Sequence, residues 1–83
     1  MSGMRMITKS GKYNLPFEVM VVFVRDRYVC AKYPGEMSAF ELGDYTSPEE
    51  AMRAFDNLNK HYEDYVCNLN CMPFKFKESY PAE

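Results

Sequence analysis

The sequence has no tryptophan, one histidine, three cysteines and four glycines among its 83 residues, and these scarcities remove whole classes of chemistry. Nucleophilic catalysis needs a Ser, Thr or Cys beside a base that a third group orients. The only histidine, His61, falls on a predicted helix three residues after Leu58, where a partly exposed surface position accounts for it. There is no glycine-rich phosphate loop, no His-Glu zinc motif and no serine elbow. The carboxylate pairs Glu49-Glu50 and Glu63-Asp64 are explained by a helix dipole and by solvation, which leaves no pair assigned to acid–base work. The sequence predicts a protein that is not an enzyme.

Cysteines are few and odd in number, and no signal-peptide pattern opens the chain, so Cys30, Cys67 and Cys71 are expected as reduced thiols. Cys67 and Cys71 have the spacing of half a zinc site. The other half would need His61 and Cys30, and Cys30 stands mid-strand, where a small apolar thiol packs well. No metal and no cofactor are expected. Long hydrophobic runs are missing too: Val19 to Val24 is far short of the roughly 20 residues that span a bilayer. A cytoplasmic protein with no membrane partner is expected. The net charge of −2 offers no general surplus of Lys and Arg for phosphate neutralisation, so duplex nucleic acid is not an expected partner.

What the chain does have is apolar material, 47% hydrophobic and 16% aromatic. That suffices for one folded domain, taken as residues 4–83, with Met1-Ser2-Gly3 read as an addition before a natural start at Met4. So small a body cannot bury seven Tyr and six Phe completely. An exposed apolar patch follows, and with it a homo-oligomer.

Met4 to Thr8 alternates apolar with polar residues and stops at Ser10-Gly11, predicting a strand and a turn, onto which Lys12 to Leu15 can pair back before Pro16 leads into the next element. Val19 to Val24 is apolar on both faces, the pattern of a central strand covered on both sides. Asp26-Arg27 turns into Tyr28 to Tyr33, Pro34-Gly35 marks another turn, and Met37 to Tyr45 is a weaker strand that Gly43-Asp44 can bulge. Ser47-Pro48-Glu49-Glu50 is a helix start: Ser47 caps, Pro48 suits the first helical position, and Glu50 closes a capping box. Ala51, Phe55, Leu58, Tyr62 and Tyr65 then form a stripe facing a sheet, with Arg53, Asp56, Asn57 and Lys60 facing away. Cys71 to Lys77 alternates again, placing Met72, Phe74 and Phe76 on one face of a last strand at an edge, and Glu78 to Glu83 is expected to fray. The predicted fold is α+β, an antiparallel sheet of four to five strands packed on one amphipathic helix, with a C-terminal edge strand.

One cluster has the composition of a ligand site. Arg25, Arg27, Tyr28, Lys32 and Tyr33 gather guanidinium forks and phenol rings on one hairpin, where Arg can grip phosphate bidentately and Tyr can stack on a base. Lys75 and Lys77 are candidate additional cations. A solvated hairpin tip explains the same residues.

Met4-Arg5-Met6-Ile7-Thr8 before Gly11, Leu15-Pro16-Phe17-Glu18, Gly43 through Ala51, and Phe74-Lys75-Phe76 together resemble a group of short uncharacterised proteins encoded by phages, prophages and mobile elements of Gram-positive bacteria. The likeness covers most of the chain around an insertion-prone middle, and its motifs are a turn, a cap and an edge strand. A more distant likeness runs to the Thoeris anti-defence sponge proteins, which sequester nucleotide immune signals without catalysis in sites completed by oligomerisation. It rests on size, element order and origin, and carries over no binding residue. The resemblance implies a self-associating binding protein in the host-cell cytoplasm that holds a small nucleotide. A second reading is an inhibitor that meets a host defence protein through exposed aromatics or the strand Phe74 to Lys77.

Overall fold

The computed structural model describes residues 4–68 and 72–81. The first alternating segment forms β1 (Arg5–Ile7), and the chain returns as β2 (Asn14–Pro16), antiparallel to it with Met6 opposite Leu15. Gly11 makes the reversal at φ 78°, a left-handed conformation that a side chain disfavours. Met6 and Leu15 are buried, while Arg5 lies on the opposite face and donates to the Asn14 side chain at 2.8 Å. Pro16 ends β2 on the outside of its sheet, where its missing N–H breaks no ladder bond, and one turn of 3-10 helix follows at Phe17–Val19.

A second antiparallel sheet holds β3 (Val21–Arg25), β4 (Tyr28–Lys32) and β5 (Phe40–Asp44) in that spatial order. Asp26 closes the β3–β4 turn at φ 54°, a conformation Asp tolerates better than most residues. The strand expected to be central is at an edge: β4 occupies the middle, and among the described residues the apolar run of β3 has a neighbour on one side only. Between β4 and β5 the register shifts at Val29 and Cys30, so Leu42 is an extra residue beside the Val29–Gly43 pair. Gly43 is required there, since a Cβ would stand 2.9 Å from the Tyr45 ring.

The helix α1 (Pro48–Asn68) begins where the sequence placed it, and the Glu50 amide donates to the Ser47 hydroxyl at 3.2 Å. Its stripe packs on the sheet as expected, with Ala51, Ala54 and Leu58 buried and Phe55, Tyr62 and Tyr65 half-buried against the same core. The chain then adds β6 (Phe74–Lys75) parallel to β1 and on its other side, giving the order β2-β1-β6. Parallel pairing needs a long crossover, which the second sheet and the helix supply. Phe74 and Phe76 face the core, but Met72 is exposed, because the ladder begins only at Phe74; Cys71, at the start of the predicted strand, lies outside the described residues.

The expected fold class therefore holds: one helix on antiparallel strands, with the last strand at an edge. Its strands divide into two three-stranded sheets, joined where the Lys9 amide donates to the Leu42 carbonyl at 2.8 Å. The described residues span 36 × 34 × 19 Å. A thickness of 19 Å accommodates one helix layer on one sheet layer, so the far side of the sheet is molecular surface.

The tail departs from expectation. Tyr80 is only 5% exposed. Its amide donates to Glu50 Oε2 at 2.8 Å, its carbonyl accepts from Arg53 Nε at 2.6 Å, and its hydroxyl accepts from the Lys77 amide at 3.1 Å. Tyr45 completes this clasp by donating to the Lys77 carbonyl at 3.0 Å and meeting the Tyr80 ring edge-on at 5.6 Å. Ala82 and Glu83 lie outside the described residues.

Candidate functional site

Burial and register together assign the two faces of the second sheet. Val29 and Ala31 are fully buried and sit opposite Val24 and Val22, so these four face the helix. The alternate residues Val21, Phe23, Arg25, Tyr28, Cys30 and Lys32 face outward, since residues directly opposite in an antiparallel pair share a face. Arg25 is paired with Tyr28, Phe23 with Cys30 and Val21 with Lys32, giving three cross-strand rows on one surface.

Of the five residues singled out in the sequence, three lie directly on this surface. Arg25 extends over the Phe23 ring, 5.9 Å from its centroid. Tyr28 occupies the adjoining position and Lys32 the far end of β4, four residues and about 13 Å along the strand. Arg27 joins from the turn: its guanidinium lies 5.0 Å from the Tyr28 ring centroid and donates to the Tyr28 hydroxyl at 3.0 Å. It also donates to the Tyr45 carbonyl at 3.2 Å, so part of its fork braces β5. Tyr33 departs from the group, packing on Phe40 with ring centroids 6.3 Å apart on the side that carries buried Ala31. Lys75 and Lys77 belong elsewhere: Lys75 is in the other sheet, and Lys77 lines a cleft of about 290 Å³ with Arg53, Asp56 and Lys60.

The surface has an aromatic and cationic character. Phe23 and Tyr28 offer half-buried rings, each with a guanidinium already laid against it, in the geometry by which Arg and aromatic planes stack on bases. Cys30, at the centre, is 4% exposed. Burial pushes its thiol above the ordinary value of 9.0, with the Arg25 charge opposing, so at neutral pH the sulfur stays protonated and is a packing group in place of a nucleophile.

No family model, curated protein or solved structure matches this chain. The site must stand on its own geometry. Among the described residues no three His, Cys, Asp or Glu side chains gather as a metal site: Cys30 is buried on the sheet and Cys67 exposed on the helix, while Cys71 is not described. His61 is occupied by the Met72 carbonyl at 2.8 Å and the edge of Phe74. Among the same residues no helix is long and apolar enough to cross a membrane.

The polar residue that sequence reasoning undervalued is Glu50. Besides capping, it accepts from the Thr46 amide at 2.9 Å, the Thr46 hydroxyl at 2.7 Å and the Tyr80 amide. The Thr46 and Tyr80 amides, followed by the Thr46 hydroxyl, hold its carboxyl down to about 2. Three donors on one buried carboxylate make it the anchor of the C-terminal clasp. The sequence signal for this was a capping-box acid, and the box is displaced by one residue because Thr46, not Ser47, supplies the amide.

Proposed function

We propose that this chain is a non-catalytic, self-associating binding protein of a phage or mobile element, which sequesters a small anionic nucleotide on the outer face of β3 and β4. The observation that carries the reading is the row of Arg25 and Tyr28, with Phe23 beside it and Arg27 laid on the Tyr28 ring, on a sheet face that no described element covers. Phe23 and Tyr28 supply stacking planes for a base, Arg25 and Arg27 supply donors for phosphate, and Lys32 adds charge at the far end. The protonated thiol of Cys30 provides no chemistry at the centre of this platform, in keeping with binding without turnover.

Calorimetric titration with mononucleotides and cyclic dinucleotides tests it. At least one should bind, and Arg25→Ala and Lys32→Ala should each weaken that binding about tenfold or more, in line with the 1.5–3 kcal/mol of a charged hydrogen bond. Full affinity in both variants would move the site off this face. Because the chain has no Trp, a nucleotide retained through purification also shows directly as excess absorbance at 260 nm.

A further inference from the structure

Exposed sheet edges are usually blunted by proline, charge, bulges or brevity. Among the described residues, three of the four sheet edges follow that rule. β2 ends in Pro16, β5 carries the bulge and accepts the Lys9 amide, and β6 is two residues long. Apart from Arg25 at its end, β3 has none of these devices: Val21-Val22-Phe23-Val24 is uncharged, free of proline, in unbroken register with β4, and apolar on both faces. It has the composition of a central strand and the position of an edge.

We propose that β3 pairs antiparallel with β3 of a second copy of this chain, in full register with Phe23 opposite Phe23, so that two three-stranded sheets become one of six strands. This rests on the self-association in the reading above and specifies its surface. The two-residue turn makes Arg25 and Tyr28 the bonded closing pair, and alternation then points the main-chain groups of Val22 and Val24 away from β4. In full register Val22 meets the second copy's Val24, and both pairs bond using strand residues alone. A one-residue slip would set Val22 opposite the second copy's Phe23, whose main-chain groups point back to β4, and the ladder would not form. The direction follows from symmetry: about a two-fold axis perpendicular to the sheet the two strands run antiparallel, and each copy gives the other the same surface.

The pairing also changes the ligand face. Arg25 then lies opposite the second copy's Val21, whose row partner is Lys32, giving the row Tyr28, Arg25, Val21, Lys32 across the interface. Arg25 stands about 10 Å from the second copy's Lys32, two strand spacings away, compared with about 14 Å from its own. Two such cationic rows flank a central pair of Phe23 rings. The platform gains its second cation from the other copy, and an anion bound there holds the copies together.

Sedimentation at sub-millimolar concentration without nucleotide tests the interface separately from the ligand. The wild type should be a dimer. Phe23→Lys and Phe23→Glu should each be monomeric, because like charges would face each other across the two-fold axis, and an equimolar mixture should recover the dimer. A monomeric wild type, a variant that stays dimeric, or a mixture that stays monomeric overturns the proposal. Hydrogen exchange on the wild type needs no variant: the Val22 and Val24 amides should be protected and lose protection on dilution. Fast exchange of both at concentrations where the wild type is dimeric overturns it equally. Nucleotide binding by a wild-type monomer would sink this interface and leave the ligand reading standing.

Discussion

The C-terminal clasp and the β3–β4 face are built from similar materials and put them to opposite uses. In the clasp, Tyr45, Tyr80 and Phe76 are all at most 5% exposed, and among the described residues no buried side-chain N or O lacks a hydrogen-bond partner, from Glu50 to Tyr45. On the β3–β4 face Phe23 and Tyr28 are half-buried, Val21 is 45% exposed, and Arg25 is exposed at the end of its strand. Aromatic rings closed in by acceptors and donors hold the fold, and rings left open beside cations are available to something else. Stability should respond to changes in the first region and binding to changes in the second.

The largest expected effect tests that division with a single residue type. Phe76→Ala removes a ring that is 1% exposed and packs edge-on against Phe74 at 4.9 Å, and should destabilise the fold by about 3–5 kcal/mol in urea denaturation. A loss comparable to that of Phe23→Ala, measured under conditions where the protein is monomeric, would erase the distinction between the regions.

Next comes the anchor of the clasp. Glu50 has its folded-state value lowered from an ordinary 4.5 to about 2, so its ionised form stabilises the fold above pH 4.5 and that contribution disappears as pH falls from there through about 2. Glu50→Gln should lower the midpoint of thermal unfolding by several degrees at pH 7 and flatten the acid limb between those values. An acid limb equally steep in the variant would mean that other carboxylates carry the dependence.

The contrast between the two regions also explains what was legible in the sequence. The helix could be read because its determinants are local: Ser47 caps its own third residue, and a stripe of period 3.6 marks its buried face. The β3–β4 turn and the β1–β2 pairing are similarly short-range. Glu50 was visible only as a cap acid, since its third donor, the Tyr80 amide, is 30 residues distant, and nothing in Glu78-Ser79-Tyr80-Pro81 marks that tyrosine for burial. The edge position of β3 was hidden for a similar reason. Composition reports how much of a strand is apolar, and which neighbour covers it is a long-range choice. On the hairpin, adjacency in sequence keeps Arg25, Arg27 and Tyr28 adjacent in space, while alternation takes Tyr33 to the opposite face.

A smaller effect is expected at Tyr45. Tyr45→Phe keeps the ring and deletes the hydroxyl that donates to the Lys77 carbonyl, which should destabilise by about 1–3 kcal/mol. Burial, followed by the charges of Tyr80 and Glu50, raises the Tyr45 phenol well above 10.0, and burial raises Tyr80 as well. Both must remain neutral in the fold, so their contribution is complete below pH 10 and is lost as pH rises through the raised values. The variant should show a shallower alkaline limb in a pH series of thermal melts. An unchanged limb would assign alkaline unfolding to Tyr80 and the remaining tyrosines.

Smallest in stability is Arg25→Ala, and that is where the comparison is sharpest. Arg25 is exposed, and its contacts are the Phe23 ring face and the buried Cys30 thiol. Removing it from a monomer should change unfolding free energy by no more than about 0.5 kcal/mol, the range of ordinary surface substitutions. If Arg25→Ala instead destabilised the monomer as much as Tyr45→Phe, Arg25 would belong to the scaffold like Arg53. The open face would then be structural surface, and the search for a ligand would move to the Arg53, Lys60 and Lys77 cleft.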